Sequence, residues 1–250
     1  MSIKFENTVT PSPEQWKAAI MGARNAMNSW DRSDSEIKYE SLHDMSGGEF
    51  VIGQNDLDLM KRLVKAGTDH RKFMRMLPVT VTITAPLYWW KEFSTYKVGT
   101  VANSCSTMHK IHAKEFTLDD FSCEHLITDE PIPTRVYSSL EMMEATVENL
   151  NLFRELYLKT KDKKYWWQMI QHLPSSYNQK RTVMMNYEVL ANIYKSRKNH
   201  KLDEWSENVI MVDSEEISNN WLPNGEINKG FCDWIKSLPY SELITGDSNV

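Results

Sequence analysis

The chain has 250 residues, of which 41% are hydrophobic and 25% charged, with a net charge of -5 and a pI of about 5.8. That balance fits a globular protein, offers no general attraction to nucleic acid, and leaves no stretch near the roughly 20 apolar residues that a bilayer span needs. Three cysteines, Cys105, Cys123 and Cys232, are odd in number and far apart, so a reducing compartment is expected and a disulfide framework is not.

The amino-terminal segment mixes charge and polarity early and lacks the apolar core of a secretory signal, which points to a cytoplasmic protein. Ser12 and Gln15 have the spacing of a capping box and Pro13 suits the first helical position, predicting a helix from Pro13 to about Asn28. Asn55 can cap a second helix, in which Leu57, Met60, Leu63 and Val64 share one face and Gly67 supplies the stop. Val79, Val81 and Ile83 alternate with Thr80, Thr82 and Thr84, the period of a half-buried strand.

Pro86 then starts an aromatic helix, Leu87 to Thr95, whose Tyr88, Trp89, Trp90 and Phe93 cannot all face water without large cost, so most of them are expected in a core or a subunit interface. Ser138 and Glu141 form another capping box, ahead of an amphipathic run through Leu140, Met143, Val147, Leu150, Phe153, Leu156 and Tyr157 to about Thr160. Helices are also expected over Lys163 to His172, Arg181 to Arg197 and Leu202 to Val212, and a short one around Phe231, Trp234, Ile235 and Leu238. Proline and glycine are spread rather than clustered into a linker, so one domain is expected, with residues 213–250 as an extension.

Several polar residues admit ordinary roles. Arg197 near a helix end suits the exposed carbonyls there, Asn103 can shape a turn, Ser106 can cap the next element, and Asn186 and Asn192 can lie laterally on a helix. Cys105, His109, His112 and Cys123 include good zinc ligands, but their spacing is not a standard zinc pattern and no metal is expected. The short basic groups Lys61-Arg62, Arg71-Lys72 and Lys195 to Lys201 read as solvated helix ends.

The stretch from Ala85 to His109, APLYWWKEFSTYKVGTVANSCSTMH, resembles the signature of the flavin-dependent thymidylate synthases. In that family an Ala-Pro pair opens an aromatic-rich helix, an Arg-His-Arg triplet closes it, and Asn-Glu-x-Ser-x-Arg-Tyr follows. Thr95, Tyr96 and Lys97 stand where the triplet would be, Asn103 and Ser106 match the second block, and Ser104, Met108 and His109 replace its Glu, Arg and Tyr. A second landmark, Leu-Pro followed by Asn-x-Arg and then an Arg at fixed distance, is met by Leu173-Pro174, Asn186-Tyr187-Glu188 and Arg197 without a gap. Gly67-Thr68-Asp69-His70 looks like the family's Gly-His segment if two inserted residues precede the strand.

The resemblance implies an α+β fold in which a small, mostly antiparallel sheet is surrounded by helices, and a homotetramer with ligand sites between subunits. It also implies conversion of dUMP to dTMP with methylenetetrahydrofolate, reduced FAD and NADPH, or a nucleotide- or flavin-binding relative with altered substrate or no activity. By the same resemblance Arg197 contacts the pyrimidine as the catalytic and substrate-binding arginine, Ser104, Cys105 and Ser106 face the phosphate, and Lys97, Asn103, Asn186 and Asn192 fall on the flavin side. Four basic positions of the pattern are lost at Thr95, Tyr96, Met108 and Glu188, with Lys110, Lys180 and Arg181 as the nearby cations that can compensate.

Overall fold

A computed structural model describes residues 3–38, 49–128, 137–206 and 230–246. In chain order the elements are β1 (Lys4–Val9), α1 (Pro13–Asn25), β2 (Glu36–Lys38), β3 (Glu49–Val51), α2 (Gln54–Lys65), β4 (Pro78–Pro86), α3 (Leu87–Phe93), β5 (Val101–Ser104) and α4 (Thr107–Lys110). There follow α5 (Ser139–Thr160), α6 (Lys163–His172), β6 (Asn178–Asn186), α7 (Tyr187–Arg197), α8 (Phe231–Lys236) and α9 (Glu242–Thr245). Four strands make one antiparallel sheet in the order β1-β4-β6-β5, and β2 pairs antiparallel with β3 with Ile37 opposite Phe50. The expected α+β class with a small antiparallel sheet is the one observed.

The local signals at helix ends act as read. Ser12 accepts the Gln15 N–H while the Gln15 side chain accepts the Ser12 N–H, and Ser138 and Glu141 do the same for α5. Gly67 adopts φ +102 just past the second helix, the left-handed conformation that ends it.

Four expectations change. The second helix is capped by Gly53 and not by Asn55; the Asp34 carboxylate accepts the N–H groups of Asn55 and Asp56 at 3.0 and 3.1 Å, and a Cβ on Gly53 would stand 2.2 Å from the Asp34 side chain. Its buried face is Asp56, Leu59 and Met60, with Leu57, Leu63 and Val64 half-buried, because the Asp56 carboxylate is drawn inward by Arg24. Residues 181–186 are strand, not helix: Gln179, Val183 and Met185 are buried while Lys180, Thr182 and Met184 face outward, and the helix begins only at Tyr187. Residues 202–206 form turns, and the rest of the helix expected to Val212 lies outside the described residues.

Two compact units divide the chain. The first comprises residues 1–4, 83–95 and 103–182. There α5 and α6 pack on one another around Ile111, Phe116, Phe121, Val147, Leu150 and Met169. The aromatic residues of α3 are also core: Trp89, Trp90 and Phe93 are buried with ring centroids 4.8 to 5.3 Å apart, an arrangement worth about 0.5–1.5 kcal/mol per pair beyond the area removed from water.

Residues 5–82, 96–102 and 183–250 make the second unit. Trp16 of α1 meets Tyr187 of α7 edge-on at 5.4 Å, and the Tyr187 hydroxyl donates to the Pro239 carbonyl at 2.6 Å. Removal of the phenol from water pushes the Tyr187 hydroxyl pKa well up, so it stays a donor at any ordinary pH. Towards the C-terminus, Trp234 stacks on Phe5 at 5.3 Å and Phe231 meets Trp205 at 5.5 Å, so α8 is built into this core as its apolar spacing predicts.

The most concentrated polar feature of this unit is Asp56, which has no exposed surface. It accepts from the Arg24 guanidinium, the Ser33 and Ser35 hydroxyls, and the N–H groups of Asp34 and Ser35. Arg24 spends its other protons on the carbonyls of Ser29 and Arg32. Burial works to raise the Asp56 pKa, but the Ser35 and Ser33 hydroxyls and the Arg24 charge outweigh it and hold the carboxyl below its usual value.

Asp56→Asn is expected to cost about 3–5 kcal/mol in urea unfolding, the cost of leaving one partner of a buried pair unmatched. The folded carboxyl sits below its unfolded value of about 3.9, so its contribution is complete above that pH and drains away as pH falls through the folded value. A stability-versus-pH profile of Asp56→Asn should therefore lose part of its acid limb; an unchanged limb would show that the carboxyl does not titrate with folding.

Candidate functional site

Ser104, Cys105, Ser106 and Asn103 belong to the first unit, and Lys97, Asn186, Asn192 and Arg197 to the second. Each group is built by its own local chemistry.

In the first unit, β5 ends at Ser104 and α4 starts at Thr107, so residues 104–106 make a short exposed turn. That turn is fastened to β6. The Cys105 N–H donates to the Lys180 carbonyl at 2.9 Å, and the buried Gln179 amide donates to the Cys105 carbonyl at 3.2 Å and the Thr107 hydroxyl at 2.7 Å. The Gln179 side-chain oxygen accepts from Arg181 Nε at 2.9 Å, and the Trp90 indole donates to the Gln179 carbonyl at 2.8 Å.

Arg181 lies with its guanidinium carbon 4.4 Å from the Trp90 ring centre, where burial lowers its pKa from the free value without bringing it near neutrality. The loop thus has a cation beside it that stands on an aromatic face. Ser106 acts as the cap that its sequence position allows, accepting the His109 N–H at 3.1 Å. Since the Cys105 N–H is committed inside the chain, the groups this turn presents are the Ser104 and Ser106 hydroxyls and the exposed Cys105 thiol. Asn103, on β5 itself, is exposed.

In the second unit Arg197 is the last residue of α7. Its Nε donates to the Tyr96 hydroxyl at 2.8 Å, and its guanidinium carbon lies 5.7 Å from the Tyr96 ring centre and 5.0 Å from that of the fully buried Trp205. Tyr96, which stands at a basic position of the sequence pattern, is therefore the group that orients this arginine. The planar cation is fixed on two rings.

Asn186 is the cap of α7, its side-chain oxygen accepting the Val189 N–H at 3.0 Å. Gly99, at φ +74, passes so close that a Cβ there would lie 3.0 Å from Asn186 Nδ2 and 3.1 Å from Val189 Cγ2, so glycine is required both by conformation and by space. Asn192 is exposed, and its side-chain oxygen accepts from Arg71 Nη2 at 2.7 Å. Lys97 is exposed in the turn after α3.

A charge exchange surrounds the same helix. Glu188, buried on α7, pairs with Arg75 and lies 3.5 Å from Arg71, both from the single-turn 3-10 segment and its leading residue at 71–76. The basic residue that the sequence pattern expects on the helix has become acidic, and the guanidinium groups come from the preceding segment instead. Sequence reasoning missed Gln179, Tyr96 and the Arg71, Arg75 and Glu188 cluster as contributors. Of these, Tyr96 and Glu188 stood in the motif, as lost basic positions, and nothing local announces that Tyr96 meets Arg197 across 101 residues.

No protein-family model matches the chain, and no curated protein matches it by sequence. Its fold does match solved structures. The flavin-dependent thymidylate synthase from Helicobacter pylori complexed with FAD and dUMP aligns at a TM-score of 0.53 and 15% identity, covering 80% of this chain and 86% of that one. A second structure of that synthase with FAD and dUMP gives 0.51 and 14%, covering 80% and 85%. The fold is that of the flavin-dependent thymidylate synthases, as the degraded signature predicted.

Tyr96→Phe removes the hydroxyl that orients Arg197 and leaves the ring, and is expected to cost about 0.5–1.5 kcal/mol in urea unfolding. Glu188→Gln, which leaves two arginines facing a neutral group, is expected to cost about 1.5–3 kcal/mol, and its loss should shrink in high salt. Equal and negligible effects of both variants would remove these contacts as the supports of α7.

Proposed function

We propose that this chain is a flavin-dependent pyrimidine-nucleotide methyltransferase with a rearranged cationic lining, converting dUMP to dTMP with methylenetetrahydrofolate as the one-carbon donor and NADPH as the reductant. The observation that carries the reading is the state of Arg197. A guanidinium fixed by a tyrosine hydroxyl and seated against a buried tryptophan is preorganised, and a planar fork of donors suits the carbonyl edge of uracil in a way an ammonium does not. The fold shared with a synthase that binds FAD and dUMP supports the same assignment.

In this reading the Ser104 and Ser106 hydroxyls donate to the nucleotide phosphate, the Cys105 backbone serves to hold the turn, and Arg181 supplies nearby positive charge. The turn is preset by Gln179, so little ordering is needed when the anion arrives. FAD fits the donor chemistry of the flavin-side set: Lys97 offers an exposed ammonium, Asn103 an exposed amide, and Asn186 and Asn192 are pinned through their oxygens. When bound, reduced FAD supplies the hydride. Among the described residues no helix is long and apolar enough to cross a membrane, and the reading places the enzyme in the cytoplasm as a homotetramer with sites shared between subunits.

A second reading is favoured by Glu188. An acidic residue at a basic position of the pattern weakens the attraction for a polyanionic cofactor, which suits a nucleotide-binding relative that has left the methyl transfer behind.

The purified chain titrated with FAD should take on a yellow flavin spectrum, and the complex should then form dTMP from dUMP, methylenetetrahydrofolate and NADPH. Arg197→Ala is expected to weaken dUMP binding at least tenfold in calorimetry, about 1.4 kcal/mol. Binding of dUMP or of FAD without product selects the second reading. Failure to bind either FAD or dUMP overturns both.

A further inference from the structure

A concavity lies in the first unit, built by residues that the proposed methyl transfer does not use. Its volume is about 520 Å³, a size that admits a small organic molecule. The walls come from the segment after the candidate turn, with Met108, His109 and His112, and from the junction of α5 with α6, with Tyr157, Lys161, Lys163 and Trp166.

The walls are aromatic and stiff. His112 meets Tyr157 edge-on at 5.0 Å, Trp166 meets Trp167 edge-on at 4.9 Å, and the Trp166 indole donates to the Met108 carbonyl at 3.1 Å, which fixes the plane of that ring. Arg154 Nε donates to the His112 carbonyl at 3.0 Å, holding the histidine's backbone from the other side. Within this frame His112 Nδ1 is buried and has no hydrogen-bond partner, a polar atom that ordinarily costs about 1–3 kcal/mol to leave unmatched.

The rim is cationic and lacks its counter-charge. Lys161 and Lys163 line the cleft, each with its ammonium 5.9 Å from an aromatic centre, Tyr157 for the first and both Trp166 and Trp167 for the second. Asp162 stands between them in sequence, but its carboxylate accepts from the Lys164 N–H at 3.0 Å and pairs with the Lys164 ammonium at 3.1 Å. No carboxylate lines the cleft among the described residues.

Lys161 also occupies an unusual backbone position. It sits at φ +58 as the C-cap of α5, where glycine is the default and any other L-residue costs roughly 1–2 kcal/mol.

We infer that this cleft binds a planar aromatic anion, with the ring against Trp166 and Tyr157 and the acidic group between the ammonium groups of Lys161 and Lys163. Rings offer the flat face, and the two lysines require the charge; neither a neutral ring nor a bare anion satisfies both walls. A nucleoside monophosphate and an aromatic carboxylate share this chemistry. None of these residues belongs to the proposed methyl-transfer site, so the inference stands or falls independently of it.

Calorimetry of the full chain at low ionic strength with adenosine 5′-monophosphate and with indole-3-acetate tests it. Adenosine and inorganic phosphate serve as the uncharged ring and the ringless anion. At least one of the two charged aromatic probes should bind, with both controls tenfold weaker or worse, and the probe that binds identifies the acidic group preferred. Lys161→Met with Lys163→Met, both exposed and without a core role, should weaken that binding at least tenfold while the melting curve is unchanged. Arg197→Ala should leave it intact even if dUMP binding is lost. If neither charged probe binds, or if the double variant keeps full affinity, the inference is overturned.

Discussion

A charge taken out of water must be matched where it lies, and in this chain the partners are supplied from within. Asp56 is the fullest case: one carboxylate gathers five donors from α1 and from the segment between α1 and β2, and so fixes how those pieces meet the second helix. Glu188 with Arg71 and Arg75, and Arg197 with Tyr96 and Trp205, follow the same rule at α7. Desolvating one member without the other costs several kcal/mol, so these contacts decide packing before they decide chemistry. The shift of charge within the motif is then intelligible as re-pairing: a position that turns acidic is accompanied by arginines from a neighbouring segment, and a position that loses its cation supplies a hydroxyl to the arginine that remains.

That internal matching bears on the candidate site. A guanidinium already bonded and stacked is oriented in advance, which favours recognition of a planar carbonyl edge, but it brings less unsatisfied charge to a ligand than a solvated one would. The turn at residues 104–106 shows the same trade. Gln179 and the Lys180 carbonyl hold it firmly, at the expense of one backbone N–H that an anion would otherwise use.

Those features governed by neighbours in sequence were legible. The capping boxes at Ser12 and Ser138, the left-handed Gly67 and the alternation of Val79, Val81 and Ile83 all act over a few residues, and each appears as read. Residues 181–186 were misread because Thr182, Val183, Met184 and Met185 fit a period of two and a helical face equally well; pairing in the sheet, a non-local choice, selects the strand. Asn55 lost its capping role for a similar reason, since the acceptor for the start of that helix is Asp34, more than twenty residues away. At the candidate site Ser106 proves to be the helix cap that simple chemistry allows, whereas Asn186, read as a lateral helix residue, caps α7 because the helix begins only after it. What the motif could not give was the identity of each partner. Tyr96 looked like an absence and is a contact.

Twice in this fold a strand passes into a helix with no residue between them: β4 ends at Pro86 where α3 begins at Leu87, and β6 ends at Asn186 where α7 begins at Tyr187. Such a junction is a rigid gear. Adding or deleting one residue in the strand inverts its faces, and it also turns every side chain of the attached helix by about 100°. Length is therefore frozen along these segments while composition is free to drift, which explains how a sequence can keep a long motif in frame and yet lose the cations at Thr95, Tyr96, Met108 and Glu188.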